Sequence, residues 1–89
     1  MIHELKTLKG YFEAQKNGLK NFEFRKDDRD FKVGDTLKLE EIHSEGIAEP
    51  VRTGNVLLLR ITYILKSNNF NGLFAGIEEG YCVLSTEPI

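Results

Sequence analysis

The sequence predicts a small α+β domain that is mainly β, with one helix near the start and a strongly curved sheet that closes toward a barrel plugged by that helix. Three observations carry this reading. A mostly apolar helical face occurs once, at Leu8, Tyr11, Phe12 and Gln15, spaced i, i+3, i+4, i+7. Beyond it, side chains alternate with the period of two that marks strands, and glycine-containing turns separate the alternating stretches.

Taken in order, Ile2–Lys6 reads as a short first strand. Thr7 offers an N-cap for a helix of about three turns that Asn17-Gly18 stops, the glycine suiting a left-handed C-terminal position. Gly10 inside the helix costs about 1 kcal/mol relative to alanine, so packing must hold the helix in place. Lys20–Lys26 is the next strand, with Phe22 and Phe24 on one face, expected to be core, and Asn21, Glu23 and Arg25 on the other. The turn Val33-Gly34-Asp35 launches Thr36–Ile42, in which Leu37 and Leu39 alternate with polar residues. Residues 43–55 read as a loop or irregular hairpin, with Gly46, Pro50 and Gly54. Val56–Leu65 is the most apolar strand, with Leu57, Leu59, Ile61, Tyr63 and Leu65 on one face. A second loop, residues 66–72, leads to a strand at Leu73–Ile77, and Glu78-Glu79-Gly80 turns into a last strand, Tyr81–Thr86.

At 89 residues the chain reads as a single domain, 1–89, with room for one core and any site on the same body. Its composition, 40% hydrophobic and 29% charged, is that of an ordinary globular chain. The longest apolar run, Val56–Leu59, is far short of a membrane span, and the opening residues lack the apolar stretch of a signal peptide. One cysteine, Cys82, flanked by Tyr81 and Val83, reads as a small buried hydrophobe in a reducing compartment, so a cytoplasmic location is expected. The net charge of −2 argues against wholesale wrapping of a phosphate backbone. The positive excess lies early: residues 1–32 hold eight Lys and Arg against six Asp and Glu, and the remainder four against eight. Within that first third, Lys26–Lys32 is charge-balanced and reads as a solvated turn.

Chemistry concentrates at Gly18–Arg25. Glu23 and Arg25 share one strand face, where the carboxylate can hold the guanidinium as a planar fork for a phosphate or a base edge. An exposed ion pair is the plainer reading of the same alternation. Lys20 falls on the phenylalanine side by strict alternation, and joins the site only if the helix-to-strand turn rotates it there. His3 and His43 stand apart from other ligands, so no metal and no cofactor is expected. No nucleophile triad or phosphate-binding glycine motif occurs. Phe70 either stacks on a base or anchors its loop, and Tyr63 and Tyr81 read as half-buried strand aromatics.

Gly18, Lys20, Glu23 and Arg25 form the pattern GxKxxExR, which resembles the signature of the ASCH domain family in the PUA-like superfamily. Phe31–Leu39, the opening His3–Lys6, Thr62–Leu65 and Gly80–Ser85 are similar to segments of its short bacterial and phage members. The resemblance implies a PUA-like β-barrel whose cleft, lined by Lys20, Glu23 and Arg25, takes RNA or a nucleotide. Some relatives in fold are amidohydrolases that act on N4-acetylcytidine with a lysine, a threonine and a glutamate. Lys20 matches that lysine, whereas Glu23 stands at the threonine's place. The expected function is therefore an RNA- or nucleotide-binding module. The alternative is a small amidohydrolase using Lys20 and Glu23, and a third is an accessory protein that binds another protein through its acidic later portion.

Overall fold

In the computed structural model the described residues are 1–44, 49–66 and 77–89. Phe70 and most of the expected strand at 73–77 lie outside them. The chain runs β1 (Ile2–Leu8), α1 (Lys9–Lys16), β2 (Phe22–Lys26), β3 (Thr36–His43), β4 (Val51–Lys66) and β5 (Tyr81–Pro88). These strands form one sheet in the order β1-β3-β4-β5-β2, strongly curled into a half-barrel, so the fold is mainly β with one short helix. β1 and β3 are parallel, with Ile2 opposite Thr36 and Leu8 opposite Ile42, and the other neighbours are antiparallel. The connection that makes the parallel pair possible contains α1 and β2.

The core lies inside the curl, where Leu5, Leu37, Leu39, Leu59, Ile61, Cys82 and Leu84 meet Phe12 from α1 and Phe31 from the segment before β3. Burial alternates strictly along β1, with His3, Leu5 and Thr7 inward, and along β3, with Leu37, Leu39 and Glu41 inward. Burial also pushes the Cys82 thiol up to about 11, so it is an inert hydrophobe at neutral pH.

Several expectations are corrected. Thr7 does not cap the helix: β1 continues through Leu8, Thr7 is buried in it, and Leu8 occupies the N-cap with no side-chain bond. The strand ladder with β3 holds these residues extended where a cap would release them. Phe22 and Phe24 are exposed by 44% and 52%, while Glu23 between them is 2% exposed, so β2 turns the opposite face to the core. The segment expected as a solvated turn also sends Phe31 inward, edge-on to His3 at 4.7 Å. In β4 a register shift between Ile61 and Tyr63 inserts one residue opposite β5, which reverses the alternation. Ile61 is therefore buried, Tyr63 is exposed, and Ile64 packs against the core opposite Leu84. The expected loop at 51–55 is strand, with an irregularity opposite Glu40–Ile42 and a left-handed Gly54. That irregularity aims Thr53 Oγ1 (2.7 Å) and Asn55 Nδ2 (3.0 Å) at the buried Glu41 carboxylate, and these bonds hold its carboxyl below the usual range.

The inversion of β2 has a measurable consequence. Truncating Phe22 or Phe24 to alanine should lower unfolding stability by less than about 1 kcal/mol, whereas a buried phenylalanine loses about 3–5. Urea denaturation of the two variants checks this, and a loss above about 3 kcal/mol at either would put the ring in the core.

Among the described residues β1 and β2 form the two edges of the curled sheet, and side chains rather than a backbone ladder tie β1 to β2 and the segment after it. Arg25 Nη2 donates to the Lys6 carbonyl at 3.1 Å, and Arg29 Nη1 to the Glu4 carbonyl at 2.8 Å. Glu4 and Lys6 are two apart, so in a strand paired in parallel on its other side both carbonyls face the gap. On the same strand, one residue before Glu4, His3 Nε2 meets Asp35 Oδ2 at 2.8 Å. That bond, with the amide of Lys32 and the ammonium of Met1, holds the Asp35 carboxyl down at about 2.

Candidate functional site

The site begins where α1 ends. Asn17 closes the helix and Gly18 follows at φ +75°, which lets the chain reverse before β2. The amides of Leu19 and Lys20 both donate to the Ala14 carbonyl, at 2.9 and 3.1 Å, so Lys20 lies in the turn and escapes the strand's alternation. Its ammonium consequently reaches Glu23, on the face the sequence assigned to the opposite side.

Glu23 is the hub. Its Oε2 accepts from Lys20 Nζ and from Gln15 Nε2 at 2.9 Å, and its Oε1 accepts from Arg25 Nε at 3.1 Å and Nη2 at 2.8 Å. Burial alone would raise this carboxyl's pKa, but the donors from Lys20, Gln15 and Arg25 more than offset that and hold it below its ordinary value. Gln15, buried on α1, also donates to the Phe22 carbonyl at 2.8 Å and accepts from Thr86 Oγ1 at 3.4 Å. It thus fixes the helix to β2 and β5 while orienting the carboxylate. Sequence reasoning counted Gln15 only as part of the helical face; a glutamine on the inward side of an otherwise apolar stripe was the available signal.

Above this network lies a pocket of about 610 Å³, walled by Leu8, Tyr11, Leu19, Phe22 and Phe24 and floored by Lys20, Glu23 and Arg25. The structure thus brings the three sequence-selected residues together. Lys20 Nζ lies 5.5 Å from the Tyr11 ring centroid and 5.2 Å from that of Phe22, two cation–π contacts that hold its stem against the wall. Glu23 carries one negative charge against the two positive charges it binds, which leaves the floor with a net positive excess. Among the described residues, nothing accepts from Arg25 Nη1, so that nitrogen keeps donors for a ligand. A second cavity of about 660 Å³ lies across α1, between Lys9, Lys16, Arg52 and the Glu41 cluster. No group of three or more His, Cys, Asp or Glu side chains among the described residues is placed to hold a metal ion. Nor is any helix among them long and apolar enough to cross a membrane.

Residues 2–86 match a domain of unknown function, DUF3850. The protein is a member of the DUF3850 family. The match takes in every element from β1 into β5, so the DUF3850 unit includes both the curled sheet and the pocket. This DUF3850 chain is 43% identical over 61 residues to an uncharacterized 12.9 kDa protein in the GpA 3′ region of Escherichia phage P2. That alignment takes in 68% of the chain and spans about half, 51%, of the phage protein. In three dimensions the DUF3850 fold is similar to the crystal structure of hypothetical protein PH0355, with a TM-score of 0.64 over 100% of both chains at 19% identity. A likeness at that identity shows the shared fold.

Proposed function

We propose that this domain binds RNA or a nucleotide in the pocket between α1 and β2. Arg25 and Lys20 are the anion-contacting groups, and Glu23 is the buried carboxylate that positions both. The observation that carries this reading is a guanidinium pinned by two bonds to one buried carboxylate oxygen, with its Nη1 donors still available beside an aromatic wall. A guanidinium held in this way has lost its rotamer freedom before any ligand arrives, so little ordering entropy opposes binding. The similarity of GxKxxExR to the ASCH signature within the PUA-like superfamily supports the same assignment.

The binding reading is favoured over hydrolysis by the state of Glu23. Both of its oxygens are occupied by donors, and it stands where the hydrolytic relatives carry threonine. A carboxylate there sets negative charge beside the oxyanion that amide hydrolysis must stabilise. The test is a thermal-shift screen of nucleosides, nucleotides and short RNAs, run beside an assay for cytidine release from N4-acetylcytidine. A ligand at 100 times its Kd should stabilise the fold by about 2.7 kcal/mol. No shift with any nucleotide or RNA would remove the proposal, and turnover abolished by Lys20→Ala would replace binding with hydrolysis.

A further inference from the structure

Continuous with the pocket's wall, β2 and β5 present an aromatic surface that the network around Glu23 does not explain. Phe22 and Phe24 occupy exposed strand positions, although burying either would contribute about 1.5–3 kcal/mol. Directly paired residues of antiparallel strands share a face, so the register of Phe24 with Val83 and of Lys26 with Tyr81 puts Phe24, Lys26 and Tyr81 on the same side of the sheet. The Phe24 and Tyr81 rings lie nearly parallel, 8° apart, with centroids at 5.5 Å. Phe24 also walls the pocket, whereas Tyr81 sits beyond its rim on the neighbouring strand. The aromatic surface thus leads out of the pocket across the sheet. Cations accompany it, with Lys20 and Arg25 on the pocket floor and the exposed Lys26 opposite Tyr81.

Resting on the nucleotide-binding reading above, we infer that the ligand is single-stranded nucleic acid of at least two nucleotides. One nucleotide occupies the pocket, and an adjacent unpaired base stacks on the Phe24–Tyr81 pair. Stacking on an aromatic ring needs an open base face, which a duplex does not offer, and cations beside the rings suit the phosphates that join successive bases of one strand. In this arrangement a mononucleotide occupies the pocket alone, and a second base is needed to stack on the neighbouring Phe24–Tyr81 pair.

The experiment measures fluorescence anisotropy of a labelled mixed-sequence hexaribonucleotide at fixed salt, its duplex form, and competition by nucleoside monophosphates. Tyr81→Leu keeps apolar bulk on β5 and removes the ring, and a thermal melt verifies that it folds. The single strand should bind more tightly than either the duplex or the monophosphates, and Tyr81→Leu should weaken it about tenfold, within the range of one lost base stack. Monophosphate binding should be unchanged in Tyr81→Leu and weakened roughly ten- to a hundredfold in Arg25→Ala. If monophosphates bind but the single strand gains nothing over them, or the duplex binds equally, the second subsite is wrong and the pocket reading stands. Binding of no nucleic acid in any form overturns both. A dimer in sedimentation that Phe24→Ala dissociates, without RNA binding, would assign the aromatic surface to a second copy of the chain instead.

Discussion

Glu23→Ala should lower the unfolding free energy by about 3–5 kcal/mol, the range found when one partner of a buried ion pair is removed. The carboxylate is 2% exposed and accepts from Lys20, Gln15 and Arg25. Its loss leaves a buried glutamine amide with one acceptor fewer and two cations facing each other across the vacated space. Because Lys20 and Arg25 are partly exposed and can turn toward water, the effect should fall toward the lower end. Urea denaturation at neutral pH measures it, and a loss below about 1 kcal/mol would mean that the network is not holding β2 to the helix. The pH dependence has a definite sign. The native carboxyl is held below its ordinary value of 4.5, so its contribution is complete above that value and is lost as pH falls through it toward the native one. The stability gap between the parent chain and Glu23→Ala should therefore narrow in acid.

Arg25→Ala should weaken nucleotide or RNA binding by roughly ten- to a hundredfold, the equivalent of one charge-assisted contact of about 1.5–3 kcal/mol, while the chain stays folded. Arg29→Ala should change binding by less than about twofold. Both arginines donate to a β1 carbonyl, but only Arg25 lies in the pocket, so the pair separates ligand contact from the shared structural bond. Titration by anisotropy or calorimetry at one salt concentration gives the comparison. Equal losses would indicate diffuse electrostatic attraction. Affinity should also fall only shallowly with salt, because the slope follows the number of phosphates neutralised and a pocket holding Lys20 and Arg25 meets few.

Much of the strand pattern was legible because alternation in Thr36–Ile42 and around Leu59 and Ile61 records a buried face directly. The helix and its glycine stop were legible for the same reason, through spacing and a residue tolerant of positive φ. At β2 the rule that aromatics go in and carboxylates stay out failed. Glu23 has enough donors within reach to be satisfied in the interior, and three of those donors lie on two residues close to it in sequence. The motif therefore picked out three residues that meet in one network, while the alternation assigned them the wrong face. The bulge after Ile61 and the irregularity around Gly54 were illegible because a ladder with a partner strand decides them, and a single strand read alone does not show its partner. The His3–Asp35 bond was hidden likewise: it joins two segments that meet only through the β1–β3 pairing.

The order in which these strands pair bears on how the molecule comes to exist. Among the described residues β2 has a single ladder, and its partner is β5, so Phe22 must wait for Ser85 and Lys26 for Tyr81. Loop-closure entropy must be met before so non-local a pairing contributes any stability, and pairings of this kind slow folding. The Glu23 hub lies on that late strand, and Thr86, which bonds the glutamine beneath it, lies on the partner. The pocket is then among the last features to form, and during synthesis its two phenylalanines remain without a strand beside them until β5 has left the ribosome.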